Sequence, residues 1–170
     1  MLTLRTLQPA DREAFVDAVS EFLAVEPSWP FAFRFDLDDD FDEYVRMLEA
    51  WSKGEQLPES HVPSSYLVGL VERKIVGRVS LRHELSDALR RIGGHIGYGV
   101  VPSERGKGYA TEMLRQTLPL ARGLGISRAM LTCDDGNHAS IRVIERCGGV
   151  LEARDQSPHG TTIRRYWISL

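Results

Sequence analysis

The spacing of apolar residues along the chain predicts short strands and amphipathic helices in a single alternating order. Strands are expected where apolar residues alternate with polar ones or run together between turn residues, and helices where they recur every three or four positions. The predicted strands cover residues 2–5, 66–72, 75–85, 95–101, 127–133, 150–154 and 163–169. The predicted helices cover residues 9–26, 38–54, 110–123 and 137–147, with one helical turn at 86–91. Pro119 lies inside the third of these helices and is expected to kink it or end it early.

The junction between the strand at 95–101 and the helix that follows predicts a phosphate-binding loop. Pro102 ends the strand because it cannot donate a hydrogen bond to a ladder. Gly106 and Gly108 let the backbone approach a ligand closely, and the helix presents free N–H groups and the positive end of its dipole. We therefore expect a phosphate-bearing ligand to be contacted from this junction, by Val100, Val101, Arg105, Gly106, Lys107, Gly108, Tyr109, Ala110 and Thr111.

The spacing of these glycines excludes two common nucleotide-binding loops. A P-loop would need Gly where the chain has Val101 and Ser or Thr where it has Gly108. A dinucleotide fingerprint that starts at Gly106 would need Gly or Ala in place of Thr111. The pattern that fits is Arg-x-x-Gly-x-Ala, with Ala110 as its last residue. This pattern resembles the loop with which the GNAT acetyltransferases bind the pyrophosphate of acetyl-CoA.

The second half of the chain extends the resemblance. The segment 131–140 ends in Asn137-His138-Ala139-Ser140, and the segment 143–149 ends in Gly148-Gly149. Family members carry a similar Asn-x-x-Ser/Ala helix, and residues 94–98 and 140–149 also resemble a subgroup of bacterial acetyltransferases. Asn137 and Ser140 are therefore expected to contact the cofactor, although both residues could simply cap a helix.

The order of the predicted elements, β-α-α-β-β-β-α-β-α-β-β, matches the GNAT fold from end to end. The resemblance implies an α/β (α+β) protein with a central, mostly antiparallel mixed sheet of about seven strands flanked by about four helices. It also implies a single domain over residues 1–170 and direct transfer of an acetyl group from acetyl-CoA to a primary amine of a small molecule or peptide.

Composition and charge limit the kinds of partner and the compartment that are expected for this protein. A net charge of −3 gives no reason to expect nucleic acid, and no apolar run approaches the ~18 residues that span a membrane. Cys133 and Cys147 lack metal-ligand spacing, so we expect no metal, and they suggest a reducing compartment. Asp11 and Glu13 come too early for a signal peptide. Together these features predict a cytoplasmic protein.

Local charge suggests where the two substrates bind. Residues 100–128 carry a net charge of +3, which suits an anionic cofactor. Residues 36–59 carry a net charge of −7 and belong to the segment that lines the acceptor side in this fold, so the acceptor amine could be cationic. The acids at 38–42 could equally serve only as the charged start of a helix.

The resemblance leaves the catalytic groups open. Ile144 occupies the position where many family members place a tyrosine that protonates the leaving sulfur; Tyr98 or Tyr109 could replace it. His95 is the first candidate for the general base, because it lies in the strand that leads to the loop and an imidazole titrates near neutral pH. Glu84, at the end of the neighbouring predicted strand, is the second candidate.

Two other functions fit the sequence. The missing tyrosine allows a non-catalytic acyl-CoA-binding or sensor domain, and the aromatic loop at 29–35 could serve as the interface of an assembly module. A homodimer is left open. Cys133 is expected in the core or a pocket wall, not as a nucleophile, and three histidines are expected at the surface: His83, His138 and His159.

Overall fold

The computed structural model describes residues 1–157 and 160–170, so the expectation for His159 lies outside the described residues. The strands are β1 (Leu2–Thr6), β2 (Ser64–Val71), β3 (Lys74–Arg82), β4 (Ile96–Val100), β5 (Arg128–Asp134), β6 (Val150–Gln156) and β7 (Thr162–Ser169). The helices are α1 (Arg12–Val25), α2 (Phe41–Ser52), α3 (Asp87–Arg91), α4 (Tyr109–Gly123) and α5 (His138–Arg146). Short 3-10 turns precede α1 and follow β4, at Pro9–Asp11 and Pro102–Glu104. The predicted element order is confirmed, and α3 is the helical turn predicted at 86–91.

The strands form two antiparallel sheets that meet at the start of β4. One sheet has the order β1-β2-β3-β4 and the other the order β5-β7-β6. Gly94 bridges to Leu131, and the backbone N–H of His95 donates to the carbonyl of Met130 over 2.7 Å. The expected α+β fold with seven mostly antiparallel strands is confirmed. In residues 1–157 and 160–170 every strand pair is antiparallel, and the strands form two sheets because the ladder breaks after this bridge.

The break leaves one edge of β4 open. Val101 donates its N–H to the carbonyl of Val76 (3.0 Å) on the β3 side. Because backbone groups alternate along a strand, the N–H and C=O of Tyr98 and Val100 point to the opposite edge. Within the described part of the chain, no strand pairs with that edge between Ile96 and Val100. A ligand with amide groups can therefore hydrogen-bond there as an additional strand would.

Helices cover both faces of the first sheet. Helix α4 packs its buried face, including Met113 and Leu114, against the side chains of Val79 and Ile96. Helices α1 and α2 pack on the other face through a cluster rich in aromatic rings. The Phe15 ring, for example, lies 5.3–6.2 Å from four other aromatic centroids. Burial of each such side chain stabilises the fold by about 1.5–3 kcal/mol.

The ends of α4 and β3 differ from the prediction in ways that the structure explains. Helix α4 continues through Pro119 to Gly123, so the proline does not end the helix early. Thr117 and Ala121, on either side of Pro119, are fully buried. The helix therefore persists despite the roughly 3 kcal/mol that an interior proline costs, with buried residues on both sides of the proline. Strand β3 ends at Arg82 and not at 85, because the N–H of His83 donates to the carbonyl of Pro63.

Candidate active site

A cleft of about 390 Å³ opens where β4 ends, and we call it the β4–α4 cleft. Its walls come from the end of α1 and the following loop, from β4, from the loop before α4, and from the start of α5. The residues that line it are Phe22, Glu26, Trp29, Tyr98, Gly99, Val100, Glu104, Arg105, Gly106, Gly108, Tyr109, Ala110, Asn137, Ala139 and Ser140. The structure therefore brings together the glycine loop and the Asn-x-x-Ser helix, which are separated by 25 residues or more in the sequence.

The glycine loop presents backbone donors to this cleft. Gly106 and Gly108 have φ angles of +78° and +84°, which other residues adopt only with strain. A Cβ at either position would meet no protein atom within 4 Å, so packing does not explain these glycines. In the described residues, no acceptor is found for the N–H groups at the start of α4, from Tyr109 to Thr111. These donors and the helix dipole can bind a phosphate.

The bases of the loop already have carboxylate partners. Arg105 pairs with Glu26 (2.7 Å) and its Nε donates to the carbonyl of Val100 (3.2 Å). Lys107 and Lys74 both pair with Glu104, at 2.8 and 2.7 Å. The hydrogen bond from Lys107, followed by that from Lys74, holds the pKa of Glu104 below its ordinary value. Phosphate affinity at this loop should therefore come mainly from backbone N–H groups, because the cations are partly neutralised.

The residues predicted at the end of β4 have separate positions. Val100 lines the β4–α4 cleft with its backbone directed to the open edge. Val101 is completely buried in the α1–α2 cluster. The side chain of Val101 therefore belongs to the core, and only its position in the chain brings it near the cleft. Lys107 and Thr111 are not among the cleft-lining residues.

Asn137 caps α5 and also lines the cleft, and its contact with the cofactor stays a prediction. Its Oδ1 accepts the backbone N–H of Ser140 over 3.0 Å, which is an N-cap of α5. Asn137 and Ser140 also line the β4–α4 cleft, together with Ala139. Capping thus fixes the start of α5 as the wall of the cleft that faces β4.

An apolar side chain occupies the position of the missing tyrosine. Ile144 is buried in the core, and a Cβ at Gly149 would clash with its Cγ2 atom. The hydroxyl of Tyr98 reaches the same region from β4 and donates to the carbonyl of Ser140 over 3.4 Å. Burial, more than any other cause, raises the pKa of Tyr98 above its ordinary value. Tyr98 is therefore a protonated hydroxyl at neutral pH, next to the α5 wall.

The two candidate bases do not line the β4–α4 cleft. His95 is buried, and its Nδ1 accepts the backbone N–H of Met130 over 2.9 Å. Burial, with smaller effects from Arg90 and Arg82, lowers the pKa of His95 to about 4. A neutral His95 then carries its proton on Nε2 and has no free lone pair for a substrate. These contacts support a structural role at the junction of the sheets, and the catalytic role stays a prediction. Glu84 is exposed beyond the end of β3.

Trp29 was not among the site residues expected from the sequence, yet it covers β4 and lines the cleft. A Cβ at Gly99 would stand 2.5 Å from Cη2 of Trp29. Arg78, the β3 partner of Gly99, lies under the same indole with its guanidinium carbon 4.2 Å from the ring centroid. The glycines at 97 and 99 were the available signal, because a glycine inside a strand often marks a close approach.

The aromatic loop packs on its own protein. Phe31 is buried, and Phe33 and Phe35 pack against the α1–α2 cluster. Arg78 donates hydrogen bonds to the carbonyls of Pro30 and Phe31, at 2.5 and 3.1 Å. The rings of this loop therefore serve the core and the wall of the cleft, which weighs against their use as an assembly interface.

Metal ligands, membrane spans and reactive thiols are the remaining features to consider. Among the described residues, no group of three or more His, Cys, Asp or Glu side chains is arranged to hold a metal ion. In residues 1–157 and 160–170, no helix combines the length and apolar character needed to cross a bilayer.

Cys133 and Cys147 are free thiols, and burial raises the pKa of Cys133 to about 11, which disfavours a reactive thiolate.

Several solved structures share this fold over nearly the whole chain. The microcin C7 self-immunity acetyltransferase MccE, solved with acetyl-CoA and AMP, has a TM-score of 0.73 and 19% identity, covering 99% of this chain and 92% of its own. Ribosomal-protein-S5-alanine acetyltransferase from Vibrio fischeri has a TM-score of 0.72 and 15% identity, covering 99% and 92%. The protein yncA from Salmonella typhimurium, solved with its cofactor acetyl-CoA, has a TM-score of 0.64 and 19% identity, covering 99% and 94%. These identities establish similarity of fold.

The family itself is established by sequence. No curated protein matches the chain significantly. Residues 1–150 match the acetyltransferase (GNAT) domain family, which is most of the 170-residue chain. The glycine loop and the open edge of β4 meet in one cleft of the fold that this match implies. This chain belongs to the GNAT family of acetyltransferases.

Proposed function

We propose that this protein binds acetyl-CoA in the β4–α4 cleft and transfers the acetyl group directly to a primary amine. The observation that carries the proposal is the meeting of two features of the described residues, the unpartnered N–H groups of α4 and the open edge of β4. The first feature suits a pyrophosphate, and the second suits the amide groups of a pantetheine arm. Asn137 and Ser140 supply the opposite wall.

The thioester carbonyl would be polarised by the backbone of β4. The N–H of Val100 points to the open edge and lines the cleft, so it can stabilise the oxyanion that forms when the amine attacks. Val100 is held in place because its carbonyl accepts from Arg105, which is itself fixed by Glu26. The amine nitrogen attacks the thioester carbon directly, with no covalent intermediate on the enzyme. The C–S bond breaks with its electron pair on the sulfur, and the proton lost by the nitrogen is balanced by protonation of the thiolate, which leaves as the free CoA thiol at neutral pH.

Tyr98 would stabilise the departing sulfur. Its hydroxyl lies at the carbonyl of Ser140, across the cleft from the glycine loop. A CoA-type thiol has a pKa of about 8.5, so the thiolate is a good leaving group and needs only a hydrogen bond, not a strong acid. A hydroxyl whose pKa is raised by burial stays protonated. It can supply that bond by turning its single O–H from the Ser140 carbonyl, which it reaches only at 3.4 Å, to the sulfur.

The protonation state of the attacking amine limits which acceptors can react. Both carboxylates that line the cleft, Glu26 and Glu104, are bound to cations and are poorly placed to accept a proton. A lysine-like amine with a pKa of about 10.4 costs ~4.6 kcal/mol to deprotonate at pH 7, whereas an α-amine at about 7.7–8.0 costs only ~1 kcal/mol. An α-amine of a small molecule or peptide is therefore the preferred acceptor.

The acidic segment gives weak support for a cationic acceptor. Asp40 caps α2 through the N–H groups of Asp42 and Glu43, and Asp39 accepts the N–H of Asp36. Among the described residues that line the β4–α4 cleft, none comes from 36–59. An acceptor with a net positive charge stays a prediction, as do a cytoplasmic location and a homodimer.

The test is release of free thiol from acetyl-CoA with a panel of primary amines. Acetylation should depend on the amine, and Gly108→Asp should abolish it by placing a negative charge at the start of α4. A non-catalytic acyl-CoA sensor would instead bind acetyl-CoA and show no amine-dependent thiol release. The absence of both binding and turnover would refute the proposal.

A further inference from the structure

A second pocket, of about 460 Å³, lies beside the β4–α4 cleft on the α2 side of β3. We call it the Ser80–Arg82 pocket. Its walls are the aromatic loop, the loop before β2, the outer part of β3 and α3. Its lining includes two arginines and a serine, Arg34, Arg82 and Ser80, together with the rings of Trp51 and His61. Trp29 and Pro30 separate the two spaces, since Trp29 lines the cleft and Pro30 lines the pocket.

The floor of this pocket carries an unpartnered hydroxyl. Ser80 is only 3% exposed, and its side chain lines the pocket. Its Oγ makes no hydrogen bond to any residue in the described ranges 1–157 and 160–170. The Oγ atom is not fully sealed from solvent, unlike the other buried side-chain polar atoms of those ranges that have no partner. It can therefore be reached from the pocket. A buried hydroxyl normally has a partner, and this one can obtain its partner only from the pocket.

The charge of the pocket is positive. The Nη1 of Arg82 donates to the carbonyls of Gly93 and Gly94, at 3.2 and 3.1 Å. Burial lowers the pKa of Arg82, and in the described chain no carboxylate forms an ion pair with it. Arg34, which has a strained φ of +54°, also has no ion pair among the described residues. None of the described residues lining this pocket is acidic, although Glu59 and Asp87 stand next to lining residues in the chain.

We propose that the Ser80–Arg82 pocket binds an oxyanion, a carboxylate or phosphate, on the amine acceptor. This inference deepens the proposed function, because the pocket is taken as the acceptor side of the same site. Guanidinium groups hold such anions through paired, charge-assisted hydrogen bonds, and a serine hydroxyl adds one donor. Of the described residues that line this pocket, only Trp51 comes from the acidic segment at 36–59.

The geometry also sets a length for the acceptor. A Cβ at Gly97 would lie 3.6–3.7 Å from the guanidinium nitrogens of Arg82, so the anion site is level with Gly97 on β4. The acetyl group is expected at Val100. Three residues of strand separate these positions by roughly 10 Å. An acceptor whose amine and oxyanion are about 10 Å apart, such as a short peptide, fits this span.

Binding is measured by titration calorimetry of the full chain with triglycine, with triglycinamide, and with inorganic phosphate. The two peptides differ only in the terminal charge. We expect triglycine to bind about ten- to a hundredfold more tightly than triglycinamide, the range for charge-assisted hydrogen bonds. Ser80→Ala and Arg82→Gln should each reduce this preference, and Arg82→Lys should keep part of it. Phosphate binding that is lost in Ser80→Ala, without a preference for triglycine, would support the proposal with phosphate as the anion.

Equal binding of both peptides would overturn the proposal if phosphate does not bind, or if phosphate binding survives Ser80→Ala and so belongs to the glycine loop. If Arg82→Gln does not fold, Ser80→Ala still tests the anion site, because the serine substitution removes only one oxygen atom. Thiol release from acetyl-CoA is measured on the same samples. Anion binding without thiol release would count against the proposed acetyl transfer to that acceptor and leave the anion site supported. Thiol release with equal use of both peptides would support acetyl transfer and refute the anion site.

Discussion

Trp29 lies directly against Gly99, so a loop after α1 covers the strand that leads to the β4–α4 cleft. A Cβ at Gly99 would stand 2.5 Å from Cη2 and 2.7 Å from Cζ3 of the indole. Beneath the ring, Arg78 stacks at 4.2 Å and ties the same loop through the carbonyls of Pro30 and Phe31. The side chain missing at Gly99 is therefore what lets this loop form a wall of the cleft.

Gly99→Ala should displace this loop and destabilise the protein by about 1–3 kcal/mol, the usual cost of overpacking. Turnover should fall as well, because the wall of the cleft moves. The measurement is urea unfolding of Gly99→Ala, Trp29→Ala and the double variant. Since the clash needs both side chains, adding Gly99→Ala to Trp29→Ala should cost much less than it does in the parent. Strictly additive effects would contradict the contact.

Gly108→Asp should abolish acetyl-CoA binding. It places a Cβ and a negative charge at the N-terminus of α4, where the phosphates are expected. Gly125→Asp is the matched control, because Gly125 has the same φ of +84° and equally open space around the position of a Cβ, but follows the far end of α4. Both variants should lose about 1–2 kcal/mol of stability from the left-handed backbone. Only Gly108→Asp should lose affinity by calorimetry; equal affinities in both variants would refute the phosphate site.

Tyr98→Phe should lower kcat about tenfold and leave the affinity for acetyl-CoA nearly unchanged, since it removes one hydrogen bond to the leaving sulfur. Tyr109→Phe is measured alongside it, because Tyr109 lines the same cleft and is the other candidate for the missing tyrosine; we expect the smaller loss of kcat in Tyr109→Phe. Steady-state kinetics of both variants at saturating amine gives the comparison. If Tyr98→Phe keeps the full kcat, the sulfur leaves without help from this hydroxyl.

His95→Ala should destabilise the protein by about 1–3 kcal/mol, because the N–H of Met130 loses its acceptor in a buried position. His95→Asn should retain more stability, since its Oδ1 can take the place of Nδ1. Urea unfolding at pH 7.5 measures both variants. Equal stability of the two would show that the hydrogen bond to Met130 is unimportant.

The same residue predicts a pH dependence of stability. The pKa of His95 in the folded protein is lowered to about 4, so the unfolded chain takes up a proton first as the pH falls. The free energy of unfolding of the parent protein should fall by up to about 3 kcal/mol more than that of His95→Asn between pH 6.5 and pH 4.

The pH profile of kcat tests the other role expected for His95, that of general base. Loss of its acidic limb in His95→Asn would establish His95 as the general base, whereas an unchanged limb would exclude it.

The order of elements, the glycine loop and the family could be predicted from the sequence, because each depends on short-range patterns. Apolar spacing specifies strand or helix locally, and the positive φ angles of Gly106 and Gly108 require glycine whatever surrounds them. The N-cap formed by Asn137 and Ser140 is equally local, since the two residues are three positions apart.

Only the tertiary structure decided which of these residues line the cleft and which are already paired or buried. Arg105 is neutralised by Glu26, which lies 79 positions earlier, and no pattern in the loop reports that partner. His95 looked suited to catalysis by its place in a strand, but the break between the two sheets turns its Nδ1 to Met130. Ser80 and Arg82 belong to no motif in the sequence. They form a pocket only because alternation along β3 puts both on the face that the aromatic loop and α3 enclose.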